Sequence, residues 1–226
     1  MKRLLKIIIL AAIYSTFCQA SYAQSCPTDR SDYFCISPEM APDSLITQTL
    51  FYTIPVTLIS EFKVSLELDA KWESPYFGAG VSFYENRFRL MILGGTTRIK
   101  GMTPDAYAAI VCHELGHIIG GAPFQTIYAA EWSSSEGQAD FFAASVCLPR
   151  YFKKLGVRDD EISKRVEQAG FEMITAFMTI EKGDIERFKK DETVVNETLV
   201  NNYPTLQCRY ENFRDNSKKP SCWFKK

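Results

Sequence analysis

Both histidines of this 226-residue chain, His113 and His117, lie in one H-E-x-x-H motif. Residues four apart in a helix lie about 40° apart around its axis, so the two imidazoles face the same direction. Two neutral imidazoles at this spacing can bind one Zn2+ at about 2.0–2.1 Å each. Glu114 is rotated about 100° from His113, which places it beside the metal as a general base for a zinc-bound water. The motif therefore predicts a hydrolytic zinc site.

A catalytic zinc site needs a third protein ligand and keeps a fourth position open. Since the chain has no other histidine, this ligand must be a carboxylate or a thiolate. We expect it to be Glu136, which begins a predicted helix; Asp140 follows four residues later on the same face, where it could orient a ligand histidine. Glu131 is the spare candidate, and the pair of acids could also be a helix N-terminus favoured by the dipole.

Capping signals place the motif inside one helix, predicted over 106–119. Thr103 is a suitable N-cap, Pro104 fits the first helical position, and Gly120 follows the last turn. Gly116 removes a side chain beside the site and could let another backbone approach closely. The remaining patterns predict a strand over 88–93, a helix from 136 to about 148 ended by Pro149, helices over 159–181 and 184–200, and either strands or a helix over 45–68.

The composition is that of a folded chain, with 46% hydrophobic and 23% charged residues and a net charge of −1. No basic excess exists to neutralise a phosphate backbone, so we expect no nucleic-acid partner. Basic residues, an apolar run over 4–13 and small residues up to Ala23 predict a signal peptide over 1–23, with a membrane anchor as the alternative. We therefore expect a single exported domain over 24–226, periplasmic or secreted and without stable membrane insertion.

Export changes the interpretation of the cysteines, of which six remain after residue 23. Proximity favours a Cys26–Cys35 disulfide and a Cys208–Cys222 disulfide, each closing a short terminal loop. A structural zinc cluster is the rival interpretation, although the chain has no C-x-x-C pair. In a further alternative, a free thiolate of Cys26 or Cys35 covers the zinc in a zymogen-like state.

The remaining two cysteines, Cys112 and Cys147, lie in the two predicted helices that contain the metal ligands. Cys112 immediately precedes His113, and Cys147 follows Glu136 by eleven residues, or about three helical turns, so that it points the same way. A disulfide between them would clamp the two metal-bearing helices together and hold the ligands still.

The motif at 113–117, followed by Glu136-Gly137-Gln138-Ala139-Asp140, resembles the gluzincin metallopeptidases, and most closely their HtpX-like and CAAX prenyl protease-like branch. The resemblance extends over about residues 88–148. It implies that His113, His117 and Glu136 bind zinc, that Glu114 activates water, and that the strand over 88–93 is a sheet edge to which substrate adds. The implied fold is α+β, a mostly helical zincin-like domain with a short mixed sheet before the motif helix.

The chain also departs from this branch, which typically has several membrane helices and a downstream His-Pro segment followed by an arginine. Here Tyr203-Pro204 stands in the place of His-Pro, and Arg209 follows. A tyrosine hydroxyl could donate to a developing oxyanion, although Tyr203 could equally be a packed aromatic residue. Arg209 could pair with a carboxylate near the site or with a surface acid.

The function expected from these residues is that of an exported zinc metallopeptidase acting on a peptide or protein substrate. Zn2+ would polarise the scissile carbonyl, and Glu114 would carry the proton to the leaving amine. The alternative is a secreted zinc-binding module without proteolytic activity, such as a chaperone or an inhibitory pseudo-protease.

Overall fold

The computed structural model describes Cys26 and residues 35–127, 131–181 and 184–226. The predicted signal peptide over 1–23 lies outside the described residues. The elements in chain order are α1 (Gln48–Phe62), β1 (Leu66–Lys71), β2 (Ala79–Tyr84), β3 (Arg87–Leu93), α2 (Pro104–Ile119), α3 (Glu136–Phe142), α4 (Leu148–Lys154), α5 (Asp159–Glu181) and α6 (Leu206–Arg214). They form an α+β arrangement in which helices predominate, as expected.

A three-stranded mixed sheet precedes the motif helix, in the order β1-β3-β2. β1 runs parallel to β3, and β2 runs antiparallel to it through a tight turn at Glu85 and Asn86, whose φ angles are +49° and +60°. The strand predicted over 88–93 is therefore present in β3, but its assignment as the sheet edge is wrong. β3 is paired on both sides, so the exposed edges belong to β1 and β2.

The motif helix α2 is built as its capping signals predict. The Thr103 hydroxyl accepts a hydrogen bond from the Ala106 N–H at 3.1 Å, and Pro104 occupies the first turn. The helix is buried along 106–117 and lies at the centre of the hydrophobic core, between the sheet, α1, α5 and α3.

α2 and α3 approach each other more closely than side chains normally allow. A Cβ atom at Gly116 would lie 2.8 Å from both the Cα and the carbonyl oxygen of Ala139. The Cys112–Cys147 disulfide joins α2 to the π-helical turn that directly continues α3, with a Cα–Cα distance of 5.6 Å. The absent side chain and the disulfide together hold the histidine helix against the helix that begins at Glu136.

The other two predicted disulfides are also confirmed, as Cys26–Cys35 and Cys208–Cys222. Because Cys26 and Cys35 are bonded to each other, neither supplies the free thiolate of the zymogen-like alternative. Three disulfides are typical of a protein that folds in an oxidising compartment. Within the described ranges, no helix is both long enough and apolar enough to cross a bilayer.

Two helix predictions are wrong, the first at its C-terminal end and the second over its whole length. The helix from Glu136 does not stop at Pro149, because a π-helical turn over Ala143–Cys147 intervenes and Pro149 lies in the first turn of α4. Residues 184–200 form no helix. Their backbone instead pairs with the C-terminal tail, through Val195 N–H to Ser221 O and Leu199 N–H to Trp223 O, both at 3.0 Å.

Residues 45–68 adopt the helical alternative over most of their length. Thr47 caps α1, and Pro55 lies inside the helix with its ring buried. The strands β2 and β1 and the helix α6 were not predicted from the sequence. The helix predicted over 159–181 is present as α5, in which Gly170 provides room for the ring of Phe213.

The close contact of α2 with α3 predicts that Gly116→Ala destabilises the fold, although alanine favours helices over glycine by about 1 kcal/mol. The added methyl group must displace the backbone of Ala139, so we expect the free energy of unfolding to fall by about 1–3 kcal/mol in urea denaturation followed by circular dichroism. Gly80→Ala is the control, since no atom lies within 4 Å of its added Cβ. Equal stability of Gly116→Ala and wild type would contradict this packing.

Candidate metal centre

Three ligand atoms converge at the contact between α2 and α3. His113 Nε2 lies 3.1 Å from His117 Nε2 and 3.1 Å from Glu136 Oε2, and His117 Nε2 lies 3.3 Å from the same carboxylate oxygen. Both histidines are buried, and Glu136 is mostly buried. These three residues could hold a metal ion, as their sequence spacing predicts. Glu131, the spare candidate, is exposed and is not among them.

The partners of the outer ring nitrogens establish which nitrogens carry protons. His113 Nδ1 lies 2.7 Å from Asp140 Oδ1, and His117 Nδ1 lies 2.8 Å from the carbonyl oxygen of Ser134. A carbonyl oxygen only accepts, and so does an ionised carboxylate, so each Nδ1 must be the donor. In the neutral imidazoles, both Nε2 atoms therefore present lone pairs toward the point where they meet Glu136.

Three electron-pair donors this close together require a cation between them. Glu136 Oε2 is buried, and the neutral imidazoles that face it carry no proton to donate to it. In the metal-free chain, a proton on His113 is the cation. Burial lowers the pKa of His113, but the negative charges of Asp140 and Glu136 outweigh this effect and raise the pKa to about 10. Burial would raise the pKa of Glu136, but its contacts with the two histidines lower it below the ordinary value. The three residues could therefore hold either a proton or a metal ion between them.

Asp140 is completely buried and is held by Arg209 as well as by His113. Arg209 Nε donates to Oδ2 at 3.0 Å, and its Nη2 donates to Oδ1 at 3.1 Å, in a two-point contact between residues 69 positions apart. Burial alone would raise the pKa of Asp140, but Arg209 and His113 hold it below the ordinary value. Arg209 therefore keeps the carboxylate ionised and turned toward the histidine.

Glu114 lies beside the three ligand atoms and lines the same cleft as His113, His117 and Glu136. Its side chain is buried, and this burial raises its pKa above the ordinary value, against the opposing effect of the two histidines. A carboxylate with a raised pKa is a stronger base, which is the property that proton abstraction requires.

Tyr203 reaches the site from the segment that precedes α6. The guanidinium of Arg209 lies over its ring, 4.6 Å from the centroid, and the residue borders the cleft even though 53% of its surface is exposed. Burial of the hydroxyl and the negative charge of Glu136 raise the pKa of Tyr203, so its oxygen remains protonated at neutral pH. The structure thus places a hydroxyl donor at the site and pairs Arg209 with Asp140.

An apolar pocket of about 180 Å³ opens next to Glu114. Its apolar lining comes from β2 and the residue two before it, from α2 and from α5: Phe77, Ala79, Ile110, Met173, Phe177 and Ile180. His113, Glu114, Tyr203 and Arg209 complete its walls. Ala79, Gly80 and Val81 of β2 border the cleft that contains the ligand atoms. The exposed edge of β2, rather than β3, therefore lies along the site.

Sequence reasoning missed two contributors to this site. The Ser134 carbonyl orients His117 because the chain before α3 folds back on itself, with Ser134 N–H donating to His117 O at 2.9 Å. Gln125 donates from Nε2 to Glu136 Oε1 at 3.2 Å. Neither contact has a sequence signal, since a backbone carbonyl has no residue type and Gln125 lies in an irregular loop.

The clamp of Arg209 on Asp140 predicts that Arg209→Lys and Asp140→Asn each weaken metal binding by about 10–100-fold, because His113 loses its fixed orientation. Competition with a zinc chelator measures this loss. The matched controls are Arg165→Lys and Asp105→Asn, which alter a two-point ion pair of the same kind (2.7 and 2.9 Å) away from the site. An equal effect at both pairs would show that only general stability is involved.

The raised pKa of His113 predicts that metal binding releases a proton. Below about pH 10 the metal-free imidazole is protonated, so the metal must displace that proton, and the apparent affinity should rise by about tenfold per pH unit up to this pKa. Calorimetric titration with Zn2+ at neutral pH, in two buffers of different ionisation enthalpy, should give about one released proton. Binding without proton release would contradict the geometry of the three acceptors.

Comparisons of the chain with known protein families, curated proteins and solved structures find no match. The resemblance to gluzincins therefore remains a prediction from the residues of the two motifs. The described residues themselves contain a buried cluster of two histidines and a glutamate, joined to a clamped aspartate, that could hold a metal ion.

Proposed function

We propose that the protein is an exported zinc-dependent peptide hydrolase of the gluzincin type. The observation that carries this proposal is the convergence of His113 Nε2, His117 Nε2 and Glu136 Oε2 within 3.3 Å of one another, with the carboxyl group of Glu114 beside them. The three disulfides support folding in an oxidising compartment outside the cytosol.

The spacing and the donor types favour Zn2+ over Ca2+ and Mg2+. An ion bonded tetrahedrally at about 2.0–2.1 Å separates its ligand atoms by about 3.3 Å, which agrees with the observed 3.1–3.3 Å. Two imidazoles and one carboxylate are a common catalytic zinc set, whereas Ca2+ and Mg2+ take oxygen ligands. Three protein ligands leave one position for a water or a substrate.

The chain's own residues supply the remaining chemistry. Zinc, when bound, would act as a Lewis acid on a carbonyl and lower the pKa of water. Glu114 would take the proton from the attacking water and deliver it to the amine of the broken peptide bond. Tyr203, whose hydroxyl stays protonated, would donate a hydrogen bond to the oxyanion that develops on the carbonyl oxygen.

The substrate would bind as an extended strand along β2. The edge of β2 borders the cleft, and a peptide added there gains main-chain hydrogen bonds while its side chains alternate between the two faces of the sheet. A side chain directed toward α2 would enter the apolar pocket beside Glu114.

This proposal predicts that Glu114→Gln lowers the rate of peptide hydrolysis by about 10²–10⁴-fold and leaves zinc content unchanged, because the amide cannot accept the proton and Glu114 is not a ligand. Cleavage of an unfolded protein, followed by mass spectrometry, measures the rate. Glu131→Gln makes the same chemical change at an exposed position and should retain full activity. Full activity in Glu114→Gln would contradict a hydrolytic role and favour the zinc-binding module without proteolytic activity.

A further inference from the structure

Three aromatic rings form a partly exposed cluster at the end of β2, which we call the aromatic cluster: Phe83, Phe88 and Trp132. The ring centroids lie 4.8 Å apart for Phe83 and Phe88, 5.4 Å for Phe88 and Trp132, and 6.0 Å for Phe83 and Trp132. Phe83 remains 43% exposed in this arrangement, and neither of the other two rings is buried. The rings therefore present an apolar surface that the described part of the chain does not cover.

The aromatic cluster is continuous with the metal centre. Trp132 lines the cleft that also contains His117, Glu136 and Val81. Val81 is two residues before Phe83 on β2, and residues two apart in a strand have side chains on the same face. Phe83 is thus the next residue along the face of β2 that contacts the site.

The exposed edge of β2 has free hydrogen-bonding groups along this path. Leu93 N–H donates to Gly78 O at 2.8 Å, and because the pairing alternates in antiparallel strands, the main-chain groups of Ala79, Val81 and Phe83 point away from β3. Among the described residues, no strand pairs with β2 on this side. β2 also contains no charged residue and no proline, the features that usually protect an exposed edge.

The polarity of β2 determines which part of a bound peptide would contact the aromatic cluster. β2 runs from Ala79, at the apolar pocket beside Glu114, toward Phe83. A peptide added antiparallel runs the opposite way, so its N-terminal part lies beside Phe83 and its C-terminal part beside Ala79. Antiparallel pairing also gives the slightly more stable hydrogen bonds.

From this geometry we propose that the aromatic cluster is a specificity subsite for an aromatic or large aliphatic side chain of the substrate, about two to four residues N-terminal to the scissile bond. This assignment rests on the proposed peptide hydrolysis. It adds a second anchor point to the apolar pocket, on the other side of the metal centre. The substrates are therefore unfolded or extended segments with apolar residues on both sides of the cleaved bond.

The first experiment maps every cleavage site in unfolded, alkylated casein by mass spectrometry, for the zinc-loaded chain and its variants. In wild type we expect phenylalanine, tyrosine, tryptophan and leucine to be enriched at the positions N-terminal to the cut. Phe83→Ala and Trp132→Ala should each remove this enrichment and lower kcat/KM for such sites by about tenfold or more, with zinc content unchanged. Tyr84→Ala is the matched control, because Tyr84 is 72% exposed and points to the opposite face of β2.

A second experiment separates the subsite from the hydrolytic activity. Two zinc-loaded proteins are compared: Glu114→Gln alone, and Glu114→Gln combined with Phe83→Ala. Each is titrated with two blocked peptides that are identical except that one has phenylalanine where the other has serine. Stronger binding of the phenylalanine peptide, lost in Phe83→Ala, supports the subsite even if casein is never cleaved, in which case only the hydrolytic function fails. Cleavage without positional enrichment and equal binding of both peptides would overturn the subsite and leave hydrolysis standing. Absence of both binding and cleavage would overturn both.

Discussion

The mutual repulsion of three electron-pair donors is the constraint on which the rest of this structure depends. His113, His117 and Glu136 can face one another at 3.1–3.3 Å only if a cation lies among them and the surrounding protein prevents them from turning away. The closeness of α2 to α3, permitted by Gly116 and held by the Cys112–Cys147 disulfide, brings the donors together. The fold therefore creates an arrangement that is favourable only with a bound positive charge.

The buried pair of Asp140 and Arg209 follows from the same constraint. Removing two charges from water is costly, and replacing such a pair by apolar residues often leaves stability unchanged or improves it. Stability alone thus does not account for the pair. The geometry of the pair accounts for it: two hydrogen bonds from Arg209 hold the carboxylate in place, and Oδ1 also accepts a hydrogen bond from His113. The Cys208–Cys222 disulfide, adjacent to Arg209, fixes the helix that supplies the guanidinium.

The centre of the site could be predicted from the sequence because its geometry is local to single helices. Helical periodicity relates His113 to His117, Glu136 to Asp140 and Glu136 to Cys147, and capping residues locate the helices themselves. The pairing of Cys112 with Cys147 followed from those relations and is confirmed. Within one rigid helix, the number of residues between two side chains determines the angle between them.

The parts that could not be predicted depend on contacts between distant segments. The contact of Arg209 with Asp140 spans 69 residues, and the Ser134 carbonyl has no sequence signature. The central position of β3 follows from which strands pair with it, and no pattern within residues 88–93 contains that information. Residues 184–200 have helical character but pair with the C-terminal tail, since tertiary hydrogen bonds can override a weak local propensity.

The most direct test of this account is the metal content of the purified chain, measured by elemental analysis for wild type and for Glu136→Ala. We expect about one zinc ion per wild-type chain, and its loss when the third ligand atom is removed. Glu131→Ala should retain the ion, because Glu131 is exposed and outside the cluster. A wild-type chain that contains no metal after zinc is supplied, or a Glu136→Ala chain that keeps it, would contradict the account.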